Sequence, residues 1–191
     1  MTTLRLTPQH AQAYRALMLE AYARHPDAFT SSVDERAALP LAWWEARLAQ
    51  TPDAAEAVWA SLAGDAIQGV AGLSFERREK VRHKATLFGM YVHPEQRGQG
   101  LGRQLVDAVL AHARACPHIA LVQLTVSEGN AGAIALYRAA GFEAWGCEPL
   151  AVRVGEGFVR KQHMGCPLME PGPHRVRDPA PATRGTGAPE P

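Results

Sequence analysis

Three glycines separated by single residues, Gly98, Gly100 and Gly102, lie between a strand-like run ending at Val92 and a helix-like run beginning at Leu101. A strand that turns through glycine into a helix constrains much of the fold around it. Without a Cβ, such residues let successive backbone N–H groups turn outward together. The first turn of the helix adds N–H groups with no internal acceptor, at the positive end of its dipole. A corner of this kind suits a pyrophosphate, and Arg97 and Arg103 add charge at its rim. Two familiar phosphate loops do not fit. No Gly-Lys-Ser/Thr closes the stretch, so it is not a P-loop. The Gly-x-Gly-x-Gly spacing, after a strand that does not open a run of βαβ units, departs from the dinucleotide fingerprint.

The flanking sequence reads as mixed α/β. Residues 4–6 form a short strand, and Thr7-Pro8 supplies an N-cap and an N1 proline. Tyr14, Leu17, Met18, Ala21 and Tyr22 then recur at one helical face, and His25-Pro26 ends that helix. A loop over residues 27–40 leads to a second helix over 41–49, with Trp43 and Trp44 near its start. Residues 56–63 and 69–75 read as a β-hairpin, followed by a charged connection over 76–84 that suits a solvated loop. The next strand, 85–92, contains Gly89, which marks a bulge or a close approach to the backbone. Leu101, Leu105, Ala108, Val109 and His112 share one face of the following helix. Beyond Pro117, Ala120, Val122, Leu124 and Val126 alternate with a mostly polar set. Asn130 caps a short helix through Tyr137, with Gly141 as its C′ residue, and strands at 142–147 and 157–164 close the domain. The predicted fold is a mixed sheet with helices, in the order β-α-α-β-β-β-α-β-α-β-β.

Composition limits the function classes. The chain of 191 residues suits one domain, and 47% apolar residues supply a core. A formal net charge of +1 gives no global field for nucleic acid or an anionic membrane. No apolar run approaches the ~20 residues of a membrane helix. The first ten residues lack a signal-peptide h-region, so a cytoplasmic protein is expected. Cys116, Cys147 and Cys166 are scattered, which fits reduced thiols and no metal site. Residues 169–191 carry six of the fourteen prolines and no Leu, Ile or Phe. That composition cannot offset its ordering entropy, so a folded domain over 1–168 and a disordered tail over 169–191 are expected.

Two longer patterns make the glycine-rich stretch specific. Val92-x-Pro94-x-x-Arg97-Gly98-x-Gly100-Leu101-Gly102 resembles the acyl-CoA pyrophosphate loop of the GNAT superfamily of N-acetyltransferases. Downstream, Leu124-x-Val126-x-x-x-Asn130-x-x-Ala133-x-x-Leu136-Tyr137-x-x-x-Gly141-Phe142 is similar to that superfamily's next segment. The resemblance spans about residues 3–168. It implies a twisted mixed sheet flanked by helices, and acetyl-CoA as acyl donor without a metal. The acceptor it implies is a small-molecule or protein amine that attacks directly in a ternary complex. Backbone groups of Met90, Tyr91 and Val92 would pair with the pantetheine arm. Backbone N–H groups among Arg97, Gly98, Gln99, Gly100, Leu101, Gly102 and Arg103 would hold the pyrophosphate. Asn130 and Ala133 would meet the pantetheine, and Tyr137 would act as general acid on the leaving thiolate. Members are often dimers, so a homodimer through the C-terminal strands is compatible with the resemblance. The alternative is a non-catalytic acyl-CoA-binding sensor or scaffold module.

One part of the resemblance fails. Many relatives place a Glu on the strand leading to the loop, whereas residues 86–92 here contain no carboxylate. The base for a protonated amine is therefore left among Glu20, Asp27, Glu35, Glu128 and His83. The superfamily builds its acceptor wall from the segment that here runs over residues 27–35, with Phe29, Thr30, Ser31 and Ser32. Trp43 and Trp44 are expected on the same side, with at least one of them in the core.

Overall fold

The computed structural model describes residues 1–168, so the expected tail over 169–191 lies outside the described residues. The elements run β1 (Thr2–Arg5), α1 (Ala11–Arg24), α2 (Val33–Ala37), α3 (Leu41–Ala46), β2 (Glu56–Ala63), β3 (Ala66–Phe75), β4 (Lys84–Val92), α4 (Leu101–Arg114), β5 (Leu121–Ser127), α5 (Ala131–Ala139), β6 (Glu143–Val154) and β7 (Gly157–Pro167). The strands form one seven-stranded sheet in the order β1-β2-β3-β4-β5-β7-β6. All neighbours are antiparallel except β4 and β5, which run parallel. This is the predicted fold class with one extra short helix, α2.

Each local departure has a physical cause. Residues 32–35 carry a capping box, in which the Ser32 hydroxyl accepts from the Glu35 N–H and the Glu35 carboxylate accepts from the Ser32 N–H. That device nucleates α2 inside the segment expected to be loop. The helix after it is shorter than expected and stops at Ala46. At the N-terminus the His10 ring nitrogen Nδ1 accepts from the Thr7 N–H at 3.0 Å, and Pro8–His10 forms a 3-10 turn before α1 begins. β6 runs on through Pro149 to Val154, well past the expected end at Cys147. It tolerates the proline because it is the edge strand and its register slips between Glu148 and Val152.

The sheet separates two cores. On one face α4 packs Leu105, Val106, Val109, Leu110 and Ala113 against Leu73, Leu87, Val122 and Leu124. On the other, α1 and α3 bury Tyr14, Met18, Ala21, Trp44 and Leu48 over Val58, Val70 and Tyr91. The stripes predicted for α1 and α4 are these faces, widened in α4 by Val106, Leu110 and Ala113. β4 serves both cores by a change of parity. Ala85 and Leu87 face the α4 core, as do Met90 and Val92, whereas Phe88 and Tyr91 face α1. The switch falls at Gly89, whose φ is +61°, where the register with β3 shifts between Val70 and Gly72. Of the two readings of Gly89, the bulge is present, and it turns the following residues to the opposite faces.

Candidate active site

β4 and β5 pair only through Lys84–Leu121, Ala85–Val122 and Thr86–Gln123. Both strands continue beyond this point, β4 to Val92 and β5 to Ser127, without pairing to each other. β5 keeps its antiparallel partner β7 on the far side, so the sheet splits into a V. The edge of β4 from Leu87 to Val92 faces the opening, with no strand beside it there among the described residues. Backbone groups on such an edge are open to an extended partner.

The opening holds a cleft of about 620 Å³, lined by Met90, Tyr91 and Val92 on the strand side and by Asn130, Gly132, Ala133 and Leu136 on the α5 side. Its floor is the glycine-rich loop, and His25, Asp27, Ala28 and Phe29 cover its outer rim. None of the backbone N–H groups from Gly98 to Arg103 donates to a backbone carbonyl among the described residues. The first helical bond of α4 runs from the Gln104 N–H to the Gly100 carbonyl at 3.1 Å. Gly100 is the N-cap in the left-handed region, φ +82°, a conformation that favours glycine. At Gly102 space is tight: a Cβ there would lie 3.1 Å from Leu136 Cδ2 and 3.2 Å from Met90 Cε, both ends of movable side chains.

The two arginines are less free than their positions in sequence suggest. Arg97 Nε donates to the Val92 carbonyl at 3.0 Å, and its guanidinium approaches His25 Nε2 at 3.1 Å. Arg103 grips the Asp107 carboxylate at 2.8 Å and 2.9 Å and the Ala139 carbonyl at 2.9 Å. Both line the cleft with their charge held at its rim. Gln99 does not line it; its side-chain amide turns back to the Glu95 carbonyl. Asn130 accepts from the Ala133 N–H at 3.1 Å, capping α5 while lining the cleft.

A second cavity of about 200 Å³ continues inward between the splayed strands, sharing Ala28, Phe29, Met90, Asn130 and Ala133 with the first. Tyr137 lies here, 5% exposed and edge-on to Phe142. Burial pushes its phenol well above the ordinary tyrosine range, so it keeps its proton at neutral pH. Thr86, Thr125 and Ser127 add hydroxyls to the lining. Lys161 joins them from β7, 4% exposed, its ammonium donating to the Ala28 carbonyl at 2.8 Å. Burial lowers its pKa, against the opposing pull of the Asp27 and Glu148 charges. Lys161 was not among the residues selected from sequence. Its only signal there is that it shares a strand face with Val159.

The proposed bases separate in space. Asp27 lines the outer cleft. Glu20 pairs with Arg24 at 2.9 Å and accepts from the Tyr91 hydroxyl at 3.3 Å, outside both cavities. Glu35 is used in the α2 cap, Glu128 pairs with Arg160 at 3.2 Å, and His83 is exposed and lines neither cavity. The expectation that Trp43 and Trp44 reach the acceptor side is corrected. Trp44 is fully buried in the α1 core, and Trp43 packs against it between the Arg36 and Arg47 guanidinium groups. Neither lines a cavity.

Residues 14–142 match the Acetyltransferase (GNAT) family. The chain belongs to this family. Among solved structures, a putative acetyltransferase from Salmonella typhimurium, solved with its cofactor acetyl-CoA, superposes with a TM-score of 0.74 at 24% identity, covering 94% of this chain and 99% of that one. The L-methionine sulfoximine/L-methionine sulfone acetyltransferase of Pseudomonas paraeruginosa is 41% identical over 71 residues, 37% of this chain and 39% of that protein. The mycothiol acetyltransferase of Salinispora arenicola is 31% identical over 134 residues, 70% of this chain and 41% of that protein. The chain thus spans about two-fifths of the length of either curated relative.

Proposed function

We propose that this GNAT protein transfers an acetyl group from acetyl-CoA to an amine by direct attack in a ternary complex. The observation that carries the reading is the unpaired edge of β4, which leads from the open N–H groups of the glycine-rich loop to the buried phenol of Tyr137. The residues present fit acyl-CoA. The loop offers N–H groups to a pyrophosphate, and the β4 edge at Met90–Val92 offers backbone groups to the amide-bearing pantetheine. Asn130 and Ala133 flank the same path.

Acetyl-CoA supplies an acetyl thioester, whose carbon–sulfur bond breaks as the amine nitrogen bonds to the acetyl carbon. Tyr137 donates its hydrogen to the sulfur as negative charge gathers there. Its raised pKa, against ~8.5 for a thiol, makes full transfer uphill, so the hydrogen bond carries most of the effect. An acceptor that arrives as an ammonium first gives one proton to the base or to water. The neutral amine then attacks, and the second proton lost from nitrogen reaches the sulfur through Tyr137 or water, so the exchange balances. Asp27, which lines the outer cleft, is the base candidate that stands on a cavity wall, acting through water. Three free thiols, Cys116, Cys147 and Cys166, suit a reducing cytoplasmic setting. A homodimer through the C-terminal strands is supported by edge strand β6 and by exposed Trp145, Leu150 and Phe158 on its hairpin.

Calorimetric titration of acetyl-CoA into the wild type and Gly100→Glu tests the reading. Binding that the variant loses, with acetylation of members of an amine panel, is expected. Absence of acetyl-CoA binding in the wild type would sink it.

A further inference from the structure

We propose that the acceptor carries a carboxylate, as a free amino acid does, and that Lys161 holds it in the inner cavity. The proposal rests on the acetyltransferase reading and adds the substrate class.

The inner cavity is lined by apolar and hydroxyl side chains and the Asn130 amide, with one charged group, the Lys161 ammonium, and no carboxylate among them. A lysine 4% exposed is costly unless its charge finds a partner. Lys161 has one hydrogen bond among the described residues, to the neutral Ala28 carbonyl. Two of its three N–H bonds are left for something that enters. Asp27 and Glu148 favour the charged form from a distance, yet neither forms an ion pair with Lys161 within 4.0 Å. A carboxylate placed against the ammonium supplies the missing countercharge in a site of low dielectric.

The same charge discriminates between acceptors. A polyamine brings a second cation towards Lys161 and meets repulsion with no carboxylate in the inner cavity to offset it. A peptide N-terminus brings a neutral amide where an amino acid brings a carboxylate. At about 200 Å³ the cavity suits a small acceptor. Anchored at Lys161, an amino acid can direct its amine towards the end of the cavity shared with the donor cleft, where Met90, Asn130 and Ala133 stand.

The test uses the full chain and pairs of acceptors, each amino acid against its own amide, with L-methionine sulfone included and putrescine as the cationic probe. In the wild type, kcat/KM is expected to favour the acid over its amide at least tenfold, with putrescine poorest. Lys161→Met should bring that ratio near one through KM for the acid, with acetyl-CoA affinity unchanged by calorimetry. Amides or putrescine acetylated as well as acids would overturn the proposal. So would a Lys161→Met variant that loses turnover equally on both members of a pair, since that describes a base or a strut. Titration of the same pairs onto the CoA-bound protein reads the anchor without turnover, and equal binding of acid and amide there would also overturn it. Acid-selective binding without turnover supports the anchor while removing the acetyltransferase reading, so the two fail separately.

Discussion

Ser127, at the end of β5, donates its hydroxyl to the Asp27 carbonyl at 2.6 Å, joining segments 100 residues apart in the chain. One residue on, the Ala28 carbonyl accepts from Lys161. The covering loop is thus tied twice to one arm of the split, through the directly paired residues Ser127 of β5 and Lys161 of β7. Ser127→Ala removes one buried tie, worth about 1 kcal/mol. A fall in Tm of roughly 2–4 °C is expected, with the KM for the acceptor raised more than the Kd for acetyl-CoA, because the same loop also rims the outer cleft. Thermal unfolding beside steady-state kinetics checks it; a change confined to acetyl-CoA affinity would contradict this role for the loop.

Tyr137→Phe keeps the ring that packs on Phe142 and removes only the phenol. Turnover is expected to drop by roughly a hundredfold, while calorimetry with acetyl-CoA stays at the wild-type value. The pH profile carries a second signature. Burial raises the Tyr137 pKa, so the proton is present below the ordinary phenol value of ~10 and for some distance above it. Wild-type kcat should therefore show no alkaline fall below about pH 9.5 that disappears in Tyr137→Phe.

Gly100 and Gly102 separate backbone strain from space. Gly100→Ala has open room around its Cβ but a left-handed φ, so it should lower stability by about 1 kcal/mol. Gly102→Ala gains helix propensity, up to ~1 kcal/mol, against close contacts with the movable ends of Leu136 and Met90. Its Tm should remain within a few degrees of wild type. Both displaced side chains line the donor cleft, so acetyl-CoA binding should weaken by on the order of tenfold. Calorimetry and melting curves on the pair distinguish the two causes.

The site was legible in sequence where local rules govern it. The strand-to-helix turn at Gly100, the Asn130 cap and the bulge that was one reading of Gly89 each act within a few residues, and each is present. The capping box at Ser32 and Glu35 was equally local, but a five-residue helix has too little periodic pattern to reveal itself. Lys161 was hidden for another reason. Its partner Ala28 lies 133 residues away, and a lysine beside Arg160 reads as solvated surface. Trp43 and Trp44 show the converse, since aromatic content alone does not say which wall a ring joins.

Glu20 tests the choice of base by exclusion. Its carboxylate is engaged by Arg24, the Tyr91 hydroxyl and His93, and it lines neither cavity. Glu20→Gln should change kcat by less than about threefold and leave the pH profile in place. Loss of the acidic limb in that variant would return Glu20 to the chemistry.

The bulge at Gly89 gives β4 one residue more than its partner β3 can match between Val70 and Gly72. Regular alternation through Gly89, without the bulge, would send Met90 and Val92 to the α1 face and Tyr91 to the α4 face. The change would also straighten the strand at the point where it leaves β5. One wall of the cleft thus depends on a mismatch in counting, since a perfectly regular strand would turn Met90 and Val92, which line it, away from the face that carries α4.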